Sequence, residues 1–86
     1  MKLLKIGASW CGPCQTMDKL LKDFTMCEVV YYDVENEDDE TQGVIDRFTI
    51  RNIPVMVLVD DNGEEIKRWN GLTKIADIEN EIKSHE

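Results

Sequence analysis

Lys2-Leu3-Leu4-Lys5-Ile6-Gly7-Ala8-Ser9-Trp10-Cys11-Gly12-Pro13-Cys14 holds the transition on which the fold turns. Lys2 to Ile6 is apolar-rich and reads as a strand, and Gly7-Ala8-Ser9 lets the chain turn. Downstream, the apolar residues Met17, Leu20, Leu21 and Phe24 fall at i, i+3, i+4 and i+7, the spacing of one helix face, and Cys14 lies on the same stripe. This helix is expected to end near Thr25. The two cysteines therefore stand where a strand hands over to a helix, on the edge where open α/β sheets bind ligands.

That position suits thiol chemistry. A cysteine at the N-cap, the assignment for Cys11, turns its sulfur toward the unpaired N–H groups of the first turn and the positive end of the helix dipole. Both lower the thiol pKa and raise the thiolate fraction. Pro13 lacks an N–H that would be unpaired there in any case, and its fixed φ stiffens the turn at little cost. Gly12 leaves room for another backbone to approach the sulfur. Cys14 follows three residues later on the same face, where Cβ atoms lie ~5–6 Å apart, against ~3.5–4.5 Å in a relaxed disulfide. A bridge between the two is expected to carry some strain and to close a loop too short for much chain-entropy stabilisation, so it suits cycling better than stapling. Cys11, the more exposed at the helix tip, is assigned as the attacking thiolate, and Cys14, one turn deeper, as the resolving thiol.

Outward from the motif, Glu28 to Val34 is rich in Val and Tyr and reads as a second strand, with Tyr31 and Tyr32 on opposite faces, one core and one surface. The acidic run Glu35, Glu37, Asp38, Asp39, Glu40 precedes Thr41, Val44, Ile45 and Phe48 at helical spacing, and so falls at a helix N-terminus, where carboxylates are favoured. Val55 to Val59 and Glu65 to Trp69 flank Asp61-Asn62-Gly63 and read as a hairpin, Asn-Gly supplying positive φ values. Gly71 breaks the last strand, and Thr73 is the expected cap of a final helix with Ile75, Ile78 and Ile82 facing inward. Leu20, Phe24, Val44 and Phe48 are assigned to the core, and Trp69 to a sheet face. The order β-α-β-α-β-β-α makes the first two strands parallel through a right-handed crossover and the last two antiparallel. Residues 1–86 thus read as one α/β domain, a four-stranded mixed sheet flanked by three helices.

Composition removes several alternatives. The 86 residues include 10 Lys plus Arg against 18 Asp plus Glu, a formal net charge of −8, which repels phosphate backbones; nucleic acid is not an expected partner. The size allows one small domain with little core volume for an internal cofactor. His85, the single histidine, sits beside the C-terminus and is poorly placed for imidazole catalysis. Cys27 makes the cysteine count odd, unlike a secreted disulfide framework, and is expected to be a small buried hydrophobe. A zinc site on Cys11 and Cys14 would have to recruit Cys27 and His85, whereas Gly-Pro between the cysteines and Trp10 before them favour redox chemistry; no metal is expected. Met1 to Ile6 is too short for a signal-peptide apolar region, and Val55 to Val59 cannot span a bilayer. A soluble, cytoplasmic monomer in a reducing compartment is expected.

At these residues the chain resembles the thioredoxin family, for which Trp10-Cys11-Gly12-Pro13-Cys14 is a specific signature, and the resemblance covers most of the chain. Ile53-Pro54 before an apolar strand is similar to the family's cis-proline loop, Asn62-Gly63 to its hairpin turn, and Trp69-Asn70-Gly71 to its closing glycine segment. The resemblance implies a thioredoxin-like fold in which Ile53 and Pro54 lie beside Cys11, the Ile53 backbone pairs with an extended substrate segment, and Trp10, Gly12, Pro13 and Gly71 complete the docking surface. Two departures stand out. The family's usual first strand and helix are missing, which leaves a glutaredoxin-sized core with Glu28 to Val34 as an exposed edge. Six positions before Cys11 the family carries a buried aspartate thought to relay protons to the resolving cysteine, and here that position is Lys5. If Lys5 points beneath the motif, its ammonium favours the Cys14 thiolate; the other reading has it snorkel to solvent.

The expected function is reduction of protein disulfides by dithiol exchange through a redox-active Cys11–Cys14 pair, with no bound cofactor and with electrons from a thioredoxin-reductase-type donor. A glutathione-dependent, glutaredoxin-like reductase is the enzymatic alternative and would need basic anchors near the site, Arg51 or Lys5. A non-catalytic module using the docking face as a subunit surface is the alternative from another class.

Overall fold

The computed structural model describes residues 1–86. The elements follow in the order β1 (Lys2–Gly7), α1 (Gly12–Leu21), β2 (Glu28–Asp33), α2 (Asp39–Arg47), β3 (Val55–Val59), β4 (Glu65–Asn70) and α3 (Ile75–Lys83). The sheet runs β2-β1-β3-β4, with β1 and β2 parallel and the other two pairs antiparallel, so the expected architecture is the one found. Glu28–Asp33 is indeed an edge strand.

Alternation along β1 and β3 divides the core. Leu3, Met56 and Leu58 face Met17 and Leu21 of α1 and Ile78 and Ile82 of α3. Leu4, Ile6, Val55, Val57 and Val59 face the other way, against Phe48 at the end of α2, with Val44, Tyr32 and Ile50 partly buried around them. β3 is buried at every position because it is central and covered on both faces.

Several local expectations need correction. Helix α1 stops at Leu21, short of Thr25, because the chain must reverse within the few residues before β2. The Phe24 N–H bonds the Leu21 carbonyl at 3.1 Å, and this turn keeps Phe24 buried outside the helix. Leu20 is 45% exposed: the buried line of α1 runs through Cys14, Met17 and Leu21, and Leu20 lies on its shoulder. Val44 and Ile45 are only half-buried. Neither tyrosine is fully core; Tyr31 is half exposed and Tyr32 half-buried, its hydroxyl donating to Glu40 Oε1 at 3.3 Å. Thr73 does not cap α3: it lies one residue before the N-cap, its hydroxyl donating to the Gly71 carbonyl at 3.0 Å, and Lys74, the N-cap, makes no side-chain cap bond.

The hairpin also differs in kind. Only Gly63 has positive φ, +80°, and the Gly63 N–H bonds the Asp60 carbonyl at 2.9 Å. Asp60 Oδ1 accepts from Asn62 and Glu64 N–H groups, so the loop is a turn followed by a left-handed glycine rather than a two-residue Asn-Gly turn. At the end of α2, Thr49 adopts φ +52° and the Ile50 N–H reaches back to the Ile45 carbonyl at 3.0 Å, a Schellman closure without the usual glycine. The acidic run behaves as expected: Asp38 is the N-cap of α2, accepting the Thr41 N–H at 2.7 Å, and that bond holds its carboxyl below the ordinary range.

Candidate functional site: a cysteine pair at the start of α1

Cys11 is the N-cap of α1, with extended backbone at φ −88° and ψ 114°, and its Sγ accepts the Cys14 N–H at 3.2 Å. Gly12 and Pro13 fill the first two helical positions, where Pro13 removes no helical bond. The Cα atoms of Cys11 and Cys14 are 5.2 Å apart and the sulfurs are joined as a disulfide. Cys11 is 8% exposed and Cys14 not at all, so a partner reaches Cys11 first. A Cβ on Gly12 would meet nothing within 4 Å, which leaves that approach open.

Cys11 and Cys14 form one cluster with Ala8, against which Ile53 and Val34 pack. The Ile53–Pro54 peptide is cis. Gly71, in the left-handed region at φ +79°, donates its N–H to the Pro54 carbonyl at 2.8 Å and so ties the end of β4 to the proline loop. Trp10 is 67% exposed beside the pair, and Leu72, next to Gly71, is also exposed. The fold thus gathers Cys11, Cys14, Gly12, Pro13, Ile53, Pro54 and Gly71 from three separate stretches of chain, with Trp10 at the surface.

Lys5 lies on the face of β1 that looks toward α1, since Leu3 does so two residues earlier. Its side chain is 5% exposed and its Nζ sits 2.7 Å from Asp18 Oδ1, whose own side chain is half exposed. Of the two placements considered for Lys5, burial beneath the motif is the one found. Gly7 marks how crowded the spot is: a Cβ there would stand 2.6 Å from Lys5 Nζ and 3.0 Å from Cys14 Sγ. Asp18 and Val34 were not singled out from the sequence. Asp18 stands four residues after Cys14, hence on the same helix face, which was the available signal.

Cys27 is half-buried against the Leu3 cluster rather than fully enclosed, and burial pushes its thiol up. His85 Nε2 pairs with Glu81 at 2.9 Å, on α3. No group of three His, Cys, Asp or Glu side chains is arranged to hold a metal ion, and no helix is long and apolar enough to cross a membrane.

A parallel β-α-β unit carrying a cysteine disulfide at the helix start, opposite a cis-proline loop, defines a thioredoxin-fold dithiol protein. Residues 1–84 match the Thioredoxin family model, and the chain belongs to the thioredoxin family. It is 30% identical over 88 residues to a thioredoxin of Haemophilus influenzae, covering 96% of this chain and 78% of that protein. It is 31% identical over 71 residues to a prophage-derived thioredoxin-like protein, YosR, of Bacillus subtilis, covering 83% and 82%. Among solved structures, that of a Schistosoma mansoni thioredoxin pre-protein superposes with a TM-score of 0.77 at 28% identity, covering 96% of this chain and 76% of that one. With the Cys11–Cys14 disulfide in place, the family makes this protein a thiol–disulfide oxidoreductase.

Proposed function

We propose that the protein reduces disulfides of other proteins by dithiol exchange, with Cys11 as nucleophile and Cys14 as resolving thiol. The observation that carries the reading is the Cys14 N–H aimed at Cys11 Sγ at 3.2 Å on the helix N-terminus, an arrangement that stabilises a thiolate at Cys11. In the first step the Cys11 thiolate attacks a substrate disulfide, forming a mixed disulfide and releasing one substrate thiolate. In the second, Cys14 attacks Cys11 Sγ, the Cys11–Cys14 bond forms, and the other substrate sulfur leaves. Two electrons pass from the dithiol to the substrate, and the released thiolates take protons from water. Ile53, Pro54, Gly71, Gly12, Pro13 and the exposed Trp10 form the surface against which an extended substrate segment docks.

Electrons return from a thioredoxin-reductase-type donor, and the protein works as a monomer in the cytoplasm without a bound cofactor. A glutathione-fed cycle has less support, since Lys5, one of its two basic anchors, is buried against Asp18 and only Arg51 is exposed. The test is reduction of insulin disulfides, driven in parallel by NADPH with thioredoxin reductase and by glutathione. Turnover with the reductase is expected, Cys11→Ser should abolish it, and Cys14→Ser should accumulate a substrate-linked adduct. No insulin reduction from either donor would overturn the proposal. A Cys11→Ser/Cys14→Ser protein with full biological activity would instead establish the non-catalytic module.

A further inference from the structure

The buried ammonium of Lys5 takes no covalent part in either exchange step at Cys11 and Cys14. It is one of two buried polar or charged side chains in the molecule, and it lies beside the sulfur that must act second. The position a Gly7 Cβ would take is 2.6 Å from Lys5 Nζ and 3.0 Å from Cys14 Sγ, so nitrogen and sulfur are separated by no more than the sum of those distances. Between them stands a glycine, the residue that leaves the space free. An ammonium held in low dielectric at that range favours the anionic form of a neighbouring sulfur. Burying a charge with no partner is costly, and Asp18 supplies the partner from the solvent side at 2.7 Å while remaining half exposed.

We propose that Lys5 is a positioning residue for the resolving step, holding Cys14 in its thiolate form for attack on Cys11, and that Asp18 tempers the effect. The inference rests on the dithiol-exchange reading and adds to it what makes a fully buried thiol reactive. When the mixed disulfide resolves, Cys14 has already lost its proton to water, and the thiolate charge stands against the Lys5 ammonium, whose side chain lines an open depression together with Asp18. The Cys14 sulfur then donates its electron pair to Cys11 Sγ, and the substrate sulfur departs with the pair from the broken bond. The groups that titrate or carry charge around this depression are Lys5 on β1, Asp18 on α1, and Tyr31, Tyr32 and Asp33 on β2. Of these, Lys5 is the one cation.

The pair predicts opposite signs for its two members, which a packing role does not. In the reduced protein, the Cys14 Cβ resonance is followed against pH in wild type, Lys5→Met and Asp18→Asn, with the Cys27 resonance as an internal reference. Lys5→Met is expected to move the Cys14 inflection up by about one pH unit or more, as loss of an opposite charge at this distance does. Asp18→Asn, at a half-exposed position that leaves the core intact, is expected to move it down. Because nucleophilicity grows as thiol basicity grows, the net slowing of the resolving step in Lys5→Met is only about threefold per unit at neutral pH. That slowing is read as longer-lived mixed disulfide in stopped-flow with insulin. Inflections that stay put, or that move in the same direction in both variants, would overturn the proposal. A wild-type protein whose Cys14 responds as described but which leaves insulin intact would instead count against the reductase reading alone.

Discussion

On one face of the sheet, Leu3, Met56 and Leu58 lie under two helices, and Met17, Ile78 and Ile82 seal them almost completely. On the other, Leu4, Ile6, Val55, Val57 and Val59 lie under α2 alone, whose one fully buried residue is Thr41, and the cover is made up with half-buried Val30, Tyr32, Val44 and Ile50. The doubly covered face is also the one that carries a buried charge. This is not a contradiction. Lys5 sits on that face across from Met56 in the β1–β3 pairing, where α1 brings Asp18 within 2.7 Å and the depression beyond stays open to water. The single-helix face has no such charge but contributes Ile53 to the redox cluster, so the cysteine pair is held between the two.

The largest test of this contrast is Ile78→Ala, which opens a cavity on the sealed face. It is expected to cost about 2–5 kcal/mol in urea unfolding at unchanged slope. A loss below about 1 kcal/mol would show that α3 is not a full partner in that core. Next comes Gly7→Ala, which pushes a methyl group against Lys5 Nζ and Cys14. Overpacking there is expected to cost about 1–3 kcal/mol, and the measurement is thermal unfolding of the oxidised protein. On the α2 side the expected effect has the other sign. Thr49 is a β-branched residue held at φ +52°, and Thr49→Gly is expected to stabilise by about 1 kcal/mol, read as a higher urea midpoint.

The smallest effect belongs to Asp38. Its carboxyl is lowered by the Thr41 N–H, so its stabilising contribution is present above the unfolded-state value and is lost as the pH falls through the folded-state value. Asp38→Ala should therefore be less stable than wild type at neutral pH, with the two curves converging in strong acid. Parallel curves at every pH would remove the charge from the account of that cap.

Where sequence reading succeeded, the signals were local. The apolar stripe of α1, the acidic cap of α2 and the Val-rich centre of β3 each reflect a short-range period, and the order of elements then permits few sheets. Where it fell short, a neighbour distant in sequence had won. Leu20 matches the helical spacing, but the angle at which α1 meets the sheet leaves it exposed. Thr73 is a sound cap by type, yet its hydroxyl bonds the Gly71 carbonyl. Asn62 can adopt positive φ, but Asp60 anchors the turn so that Gly63 alone needs it.

The amino-acid order alone determined that a cysteine would cap a helix three residues ahead of another, because capping and the helical repeat act over a single turn. It equally determined that Lys5 would occupy a strand just before that helix. Which way Lys5 faces, that Asp18 meets it, and that Ile53 packs against the cysteine cluster while Gly71 bonds Pro54 were decided by the assembled sheet. Those contacts join residues far apart along the chain, and they exist only once burial on both faces has set the register of β1 and β3.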